Sequence, residues 1–220
     1  DRVWVSGLPV GESFTLEVRA LAHYSRSGEG LHRYTDPEDG EVYLYTQFEP
    51  NDAHRAWPCI DQPDVKPAWT FHVVAPAQWV VFSNGVEVGA TPAGDDAVRH
   101  DFSATPPLSS YITAVVAGPW AVIDGGTWSG GASDGGHVEL PLRLACRRTL
   151  ARYLDADDVC EVSRAGLDFF HERYGVTFPW GSYDQIYVPE YNLGAMENPG
   201  CITFNESYIS RSTPTFTERQ

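Results

Sequence analysis

Two short stretches hold the residue types and spacings that could do chemistry. The first, YTQFEPNDAHRAWPCIDQPD at 45–64, sets Gln47, Glu49, Asp52, Arg55, Asp61 and Asp64 among aromatic residues and prolines. The second, VPEYNLGAMENPG at 188–200, offers Gly194 and Ala195, a backbone almost free of side-chain bulk, with Glu197 close behind. Bare backbone beside a strand admits another main chain, which can pair with it as an added strand. A carboxylate at the end of that strand can then take a cationic group. Taken singly, each stretch also has a plainer reading. The first would be an edge strand entering a turn whose polar groups satisfy one another, and the second a glycine-containing turn with a solvated Glu197.

Other chemistry finds little support. Histidines stand at 23, 32, 54, 72, 100, 137 and 171, so no two are spaced to hold a metal from one helix face. HERYG at 171–175 begins like H-E-x-x-H but places Gly175 where the second ligand belongs, and His171 reads as an imidazole on the outer part of a last helical turn. Cys59, Cys146, Cys160 and Cys201 form no C-x-x-C pair. They read as reduced, partly buried thiols and favour a cytoplasmic setting. A G-x-S-x-G elbow, a Walker loop and G-x-G-x-x-G are absent as well. The expectation is therefore no metal site and no catalytic group within these 220 residues.

The elements that must position the two stretches differ along the chain. A net charge of −15 argues against nucleic acid and anionic membrane surfaces as partners. No run approaches the roughly 18 apolar residues of a membrane span. Up to about residue 144 the pattern is of short strands, at 14–21, 41–48, 69–75, 79–84, 98–102, 111–117 and 138–144, separated by Gly, Pro, Asn and Asp. EVYLYTQF alternates as a strand with one buried face, and the glycine-rich stretch at 125–136 reads as a turn. Beyond, acidic residues crowd the start of a helix expected at 157–174, apolar residues Val159, Val162, Gly166, Phe169 and Phe170 recur at helical spacing, and Gly175 stops it. Strands follow at 184–189 and 201–204, joined by a glycine-containing link, and FTERQ at 216–220 looks like a helix beginning. The expected fold is a mainly β, antiparallel sandwich-like and incomplete N-terminal domain over 1–144, followed over 145–220 by the α+β start of a second domain.

Gly194, Ala195, Met196, Glu197 and Asn198 spell GAMEN, which after Val-Pro-Glu-Tyr-Asn resembles the signature of the aminopeptidase N family of zinc metallopeptidases. The first stretch, from Thr46 to Pro63, resembles that family's N-terminal domain, and the segment CRRTLARYLDADDVCEVSRAGLDFFHERYG resembles bacterial members. The resemblance implies a β-rich N-terminal domain lacking its first strands, then the beginning of a thermolysin-like catalytic domain. It implies zinc-dependent removal of single residues from peptides with a free N-terminus. Glu197 would grip the substrate's α-ammonium, helped by Glu49 from the other domain. Gln47 would lie beside the first substrate side chain and Leu193 would wall that pocket. Gly194 and Ala195 would offer backbone groups, with Met196 and Asn198 completing the substrate-binding segment. An ammonium leaving water is costly to accommodate unless it meets opposite charge and hydrogen-bond acceptors, so paired carboxylates would select a free amino end. The family's H-E-x-x-H helix, its more distant zinc-binding Glu and its later tyrosine would lie beyond Gln220, so this piece alone would be inactive. His54, Gln62 and Pro199 depart from the commoner family residues at structural positions. Two alternatives stand beside this reading. A leukotriene-type epoxide hydrolase usually carries GGMEN, against which Ala195 speaks. A non-catalytic binding or scaffold relative tends to lose the motif carboxylate, which Glu197 keeps.

Overall fold

The computed structural model describes residues 4–9, 11, 13–131 and 136–212. The sequence folds as three stacked sheets and one long helix. Strands β1 (Gly30–Thr35), β2 (Val42–Gln47), β4 (Val80–Ser83) and β7 (Val115–Gly118) form an antiparallel sheet in the order β1-β2-β7-β4. Strands β3 (His72–Pro76), β5 (Glu87–Pro92) and β6 (Ala97–Phe102) form a second, ordered β3-β6-β5. The third holds β8 (Ala121–Gly131), β9 (His137–Cys146), β10 (Tyr183–Val188), β11 (Ala195–Met196) and β12 (Cys201–Asn205), ordered β11-β12-β10-β9-β8. In that sheet β9, β10 and β12 run parallel, while β8 and β11 are antiparallel edges.

The first sheet is the middle layer. On one face Tyr43, Tyr45, Phe82 and Val116 pack with Ala145, Ile186, Val188, Met196 and Cys201 of the third sheet. On the other, Leu44, Val81 and Ala117 meet Ala75 and Phe102 of the second, with Phe71 just before β3. The alternation in EVYLYTQF therefore does not mark a buried and a solvated face. Odd positions face one apolar layer and even positions another, as a strand with period two must when sheets cover it on both sides.

Helix α1 (Ala156–Tyr174) starts one residue before the expected position. The Asp155 carboxylate caps it by accepting from the Asp158 amide at 3.4 Å, and Gly175 ends it at φ 63°. The face it turns to the third sheet is not the apolar stripe that defines it in sequence. Buried Cys160 and the half-buried Leu167 pack inward, while Asp168 accepts from the Trp128 indole at 2.7 Å. Val162, Phe169, Phe170 and Tyr174 are more than half exposed. Val162, Phe170 and Tyr174 line a cleft of about 1570 Å³ shared with Phe178, Tyr187, Phe204 and Tyr208.

Several expectations need correction. Residues 14–21 form no strand: Phe14, Leu16, Val18 and Leu21 are exposed, and no neighbouring strand among the described residues offers the segment a ladder to join. The glycine-rich stretch is mostly strand, because β8 continues to Gly131 through a bulge between Asp124 and Thr127. The bulge absorbs the flexible Gly125 and Gly126. Residues 132–135 of that stretch, and the expected helix start at 216–220, lie outside the described residues. The expected strand at 111–117 is a 3-10 turn at Ser110–Ile112 followed by β7. His171 does not sit on the outside of its turn. Its ring meets Trp128 edge-on at 5.7 Å. The third sheet draws β8 and β9 from residues 121–146 and β10, β11 and β12 from residues 183–205.

Candidate functional site

Strand geometry places the first half of the site. Period two puts Gln47 at the end of β2 on the same face as Tyr43 and Tyr45, turned towards the third sheet. Gln47 is buried, and its Oε1 accepts from the Tyr191 hydroxyl at 2.7 Å. Its amide nitrogen, also buried, has no hydrogen-bond partner among the described residues. An unpaired buried donor costs about 1–3 kcal/mol, a cost that a ligand oxygen would relieve. Glu49, two residues on, is exposed.

The second half is an edge. Strand β11 pairs with β12 through Ala195 opposite Phe204 and Met196 opposite Thr203 and ends the sheet on that side, so its outer backbone groups have no ladder partner in it. Met196 is buried and anchors the strand, while Gly194, Ala195 and Glu197 are exposed. Asn198 is buried and Leu193 packs against the core shared by the first and third sheets. A Cβ on Gly194 would come within 2.7 Å of the Tyr208 hydroxyl, so the bare backbone there is matched to a neighbour.

Tyr191 joins the two halves. Because its hydroxyl proton goes to Gln47, the Thr203 hydroxyl at 2.8 Å must donate to it, and Thr203 in turn accepts from the Asn198 amide at 3.3 Å. A single directional chain thus runs from Asn198 to Gln47. Burial raises the Tyr191 phenol above its usual range, and the charges of Glu49 and Glu197 push the same way, while the Thr203 bond opposes them. Both carboxylates therefore lie within electrostatic reach of one phenol. The link before the edge is held by its carbonyls: Asn205 donates from its side chain to Tyr191 at 2.8 Å and Leu193 at 3.2 Å, and from its backbone to Gly194 at 2.8 Å.

Through Tyr191, Thr203 and Asn205 the structure links Gln47 with Leu193, Gly194 and Asn198 at one sheet edge. Ala195 and Met196 form β11, Glu197 directly follows it, and Glu49 lies exposed two residues beyond Gln47. The remaining polar residues of the first stretch serve its own turn. Arg55 donates to Asp52 at 2.7 Å, and Asp61 accepts from Ser110 at 2.6 Å and from the His54 backbone at 3.1 Å. Sequence reading missed Tyr191, Thr203 and Asn205 as site residues. Tyr191 carried a weak signal, since an aromatic three residues before the bare glycine has a polar tip needing a partner when buried. Thr203 and Asn205 carried none. Among the described residues no group of three or more His, Cys, Asp or Glu side chains could hold a metal ion, so those residues do not fit a zinc site.

Residues 5–112 match the Peptidase M1 N-terminal domain and residues 159–220 the Peptidase family M1 domain. Aminopeptidase N of Streptomyces lividans is 43% identical over 215 residues, covering 98% of this chain and 24% of that protein. Aminopeptidase N of Acetobacter pasteurianus is 31% identical over 189 residues, covering 84% of this chain and 50% of its own length. Aminopeptidase N of Haemonchus contortus is 30% identical over 208 residues, covering 93% and 20%. The chain thus spans between a fifth and a half of these relatives' length.

Proposed function

The chain belongs to peptidase family M1, and we propose that it is the part of a metalloaminopeptidase that captures the free amino end of a peptide. The observation that carries this reading is the hydrogen-bond chain from Asn198 to Gln47, which locks the N-terminal sheet to the open edge of β11, directly followed by Glu197. A peptide laid along β11 as an added strand would have its register fixed by its first ammonium on Glu197, with Glu49 as second counter-charge. Gln47's unpaired amide nitrogen is a donor for a peptide oxygen, and Leu193 offers apolar surface to the first side chain. Orientation of this kind turns the first peptide bond into the one presented for cleavage. Zinc belongs to the same proposal as the cofactor, although the described residues of this chain offer no group of ligands that fits it.

The test compares a free peptide with its N-acetylated form in the protein that carries this chain together with the rest of its catalytic domain. Release of the first residue from the free peptide and none from the acetylated one is the expected result. Comparable turnover of both would refute amine capture by Glu49 and Glu197.

A further inference from the structure

His32 is fully buried in β1, far in sequence from the GAMEN residues. Its Nδ1 accepts the Gly28 backbone N–H at 3.0 Å, and its Nε2 lies 3.1 Å from Glu190 Oε2. A ring nitrogen that accepts an N–H carries no proton, so the proton sits on Nε2 and is donated to Glu190. Glu190 is the one non-glycine with positive φ among the described residues, at 53°, at the start of the link that leads to Tyr191 and the motif. Its carbonyl accepts from the Tyr45 hydroxyl at 3.3 Å, and Asn192 donates to the Ser27 carbonyl. Gly28 closes the contact: at φ 79° it has no room for a side chain, since a Cβ would lie 2.8 Å from the Glu190 carbonyl oxygen.

We infer that His32 and Glu190 are a positioning pair, a latch in which the neutral imidazole clamps the 190–193 link onto the first sheet and so sets the peptide-binding edge. It rests on the function proposed above. A left-handed backbone at a residue with a side chain is strained and persists only where surrounding contacts impose it. Here the His32, Tyr45 and Asn192 bonds impose it. Releasing them lets the link relax and lowers the fraction of molecules with Tyr191 on Gln47, and the apparent substrate affinity falls by that fraction.

The latch is sensitive to acid. A proton on Nδ1 would face the Gly28 N–H donor to donor and place a charge in a buried ring. Glu190 faces the ring from the link and Tyr45 from β2, with ring centroids 4.9 Å apart. Nearer Gly30, Arg55 is occupied by Asp52 at 2.7 Å and Glu29 at 3.8 Å. Burial lowers the affinity of His32 for a proton, and Glu190 only partly offsets this. A histidine with a folded pKa below its unfolded value contributes fully above about 6.5 and loses that contribution as pH falls through the lower folded value. The latch is therefore closed at neutral pH and opens on the acid side.

The test measures KM and kcat separately for a free-amine aminoacyl reporter in the complete enzyme, with amide hydrogen exchange at 190–194 read on the same proteins. Glu190→Ala should raise KM about fivefold at pH 7.5 with kcat within about twofold, the size expected for losing one hydrogen bond. Glu190→Gln keeps an oxygen acceptor for Nε2–H and should restore KM. Wild-type KM should climb on the acid side, as pH falls through the lowered His32 value. His32→Gln, whose amide does not titrate, should abolish that climb. An unchanged KM in Glu190→Ala, a loss confined to kcat, or an acid-side climb that persists in His32→Gln overturns the latch. A complete enzyme that releases nothing from any free-amine peptide refutes the proposed function instead. The exchange measurement then decides the latch without turnover: faster exchange at 190–194 in Glu190→Ala upholds it, and unchanged exchange overturns it.

Discussion

Replacing Glu197 with Ala in the complete enzyme tests the ammonium grip, and the structure decides how large the effect should be. A fully buried ion pair that loses one partner costs about 3–5 kcal/mol, but Glu197 is exposed in this chain, so that figure is too high. An ordinary surface pair is worth about 0.2–1 kcal/mol, and that figure is too low because the stem is fixed. Met196 is buried on one side of Glu197 and Asn198, bonded to Thr203, is buried on the other. Little side-chain freedom beyond that of the carboxylate arm remains to be lost, and a peptide lying along β11 would itself exclude water. The appropriate figure is that of a hydrogen bond to a charged group, about 1.5–3 kcal/mol, or a loss of roughly 10- to 150-fold in kcat/KM. The ammonium is held equally before and during bond cleavage, so the loss should appear in KM. Steady-state kinetics on a free-amine reporter at two salt concentrations would measure it, with Glu49→Ala costing less and depending more on salt. A loss of less than about twofold in kcat/KM for Glu197→Ala would show a solvated side chain and refute the grip.

Four further outcomes follow from the structure. Gly28→Ala should loosen the 190–193 link, seen as faster amide exchange there, because the new Cβ meets backbone at 2.8 Å at a positive φ. Gly194→Ala should be tolerated in the same assay, since its contact is the end of the exposed Tyr208 side chain, which can move. Arg147→Met should lower stability by about 3–5 kcal/mol in chemical unfolding, because it leaves Asp36 buried without the guanidinium that also holds Glu206 at 2.7 and 2.8 Å. Burial raises the Asp36 pKa, but bonds from the Glu38 amide, Thr149 and Arg147 outweigh it and hold the carboxyl below its usual value. Its contribution is therefore complete above about pH 3.8 and fades as pH falls through the lower folded value, so an unfolding series from pH 5 to 2 should lose stability there, and Asp36→Asn should flatten the loss.

The sequence by itself determined the local elements and the two chemical stretches. Alternating Tyr43, Tyr45 and Gln47 specified β2 and which residues share a face, and the acidic first turn with the Gly175 stop bounded α1 to within a residue. The motif from Gly194 to Asn198 was legible because its lack of bulk and its carboxylate are properties of residue types. Pairing partners were not legible, for a physical reason: a strand's stability is non-local, so 14–21 has the pattern of a strand without a ladder, while the glycine-rich β8 lacks the pattern but has β9 beside it. Tertiary structure alone decided that both faces of β2 are covered, that the apolar stripe of α1 borders an open cleft over the third sheet, and that β11 ends a sheet. It also brought Gln47 within 2.7 Å of Tyr191, 144 residues away, and a lone histidine in β1 against Glu190, 158 residues away. Contacts at such separations depend on how three sheets stack, and no spacing within either stretch encodes that.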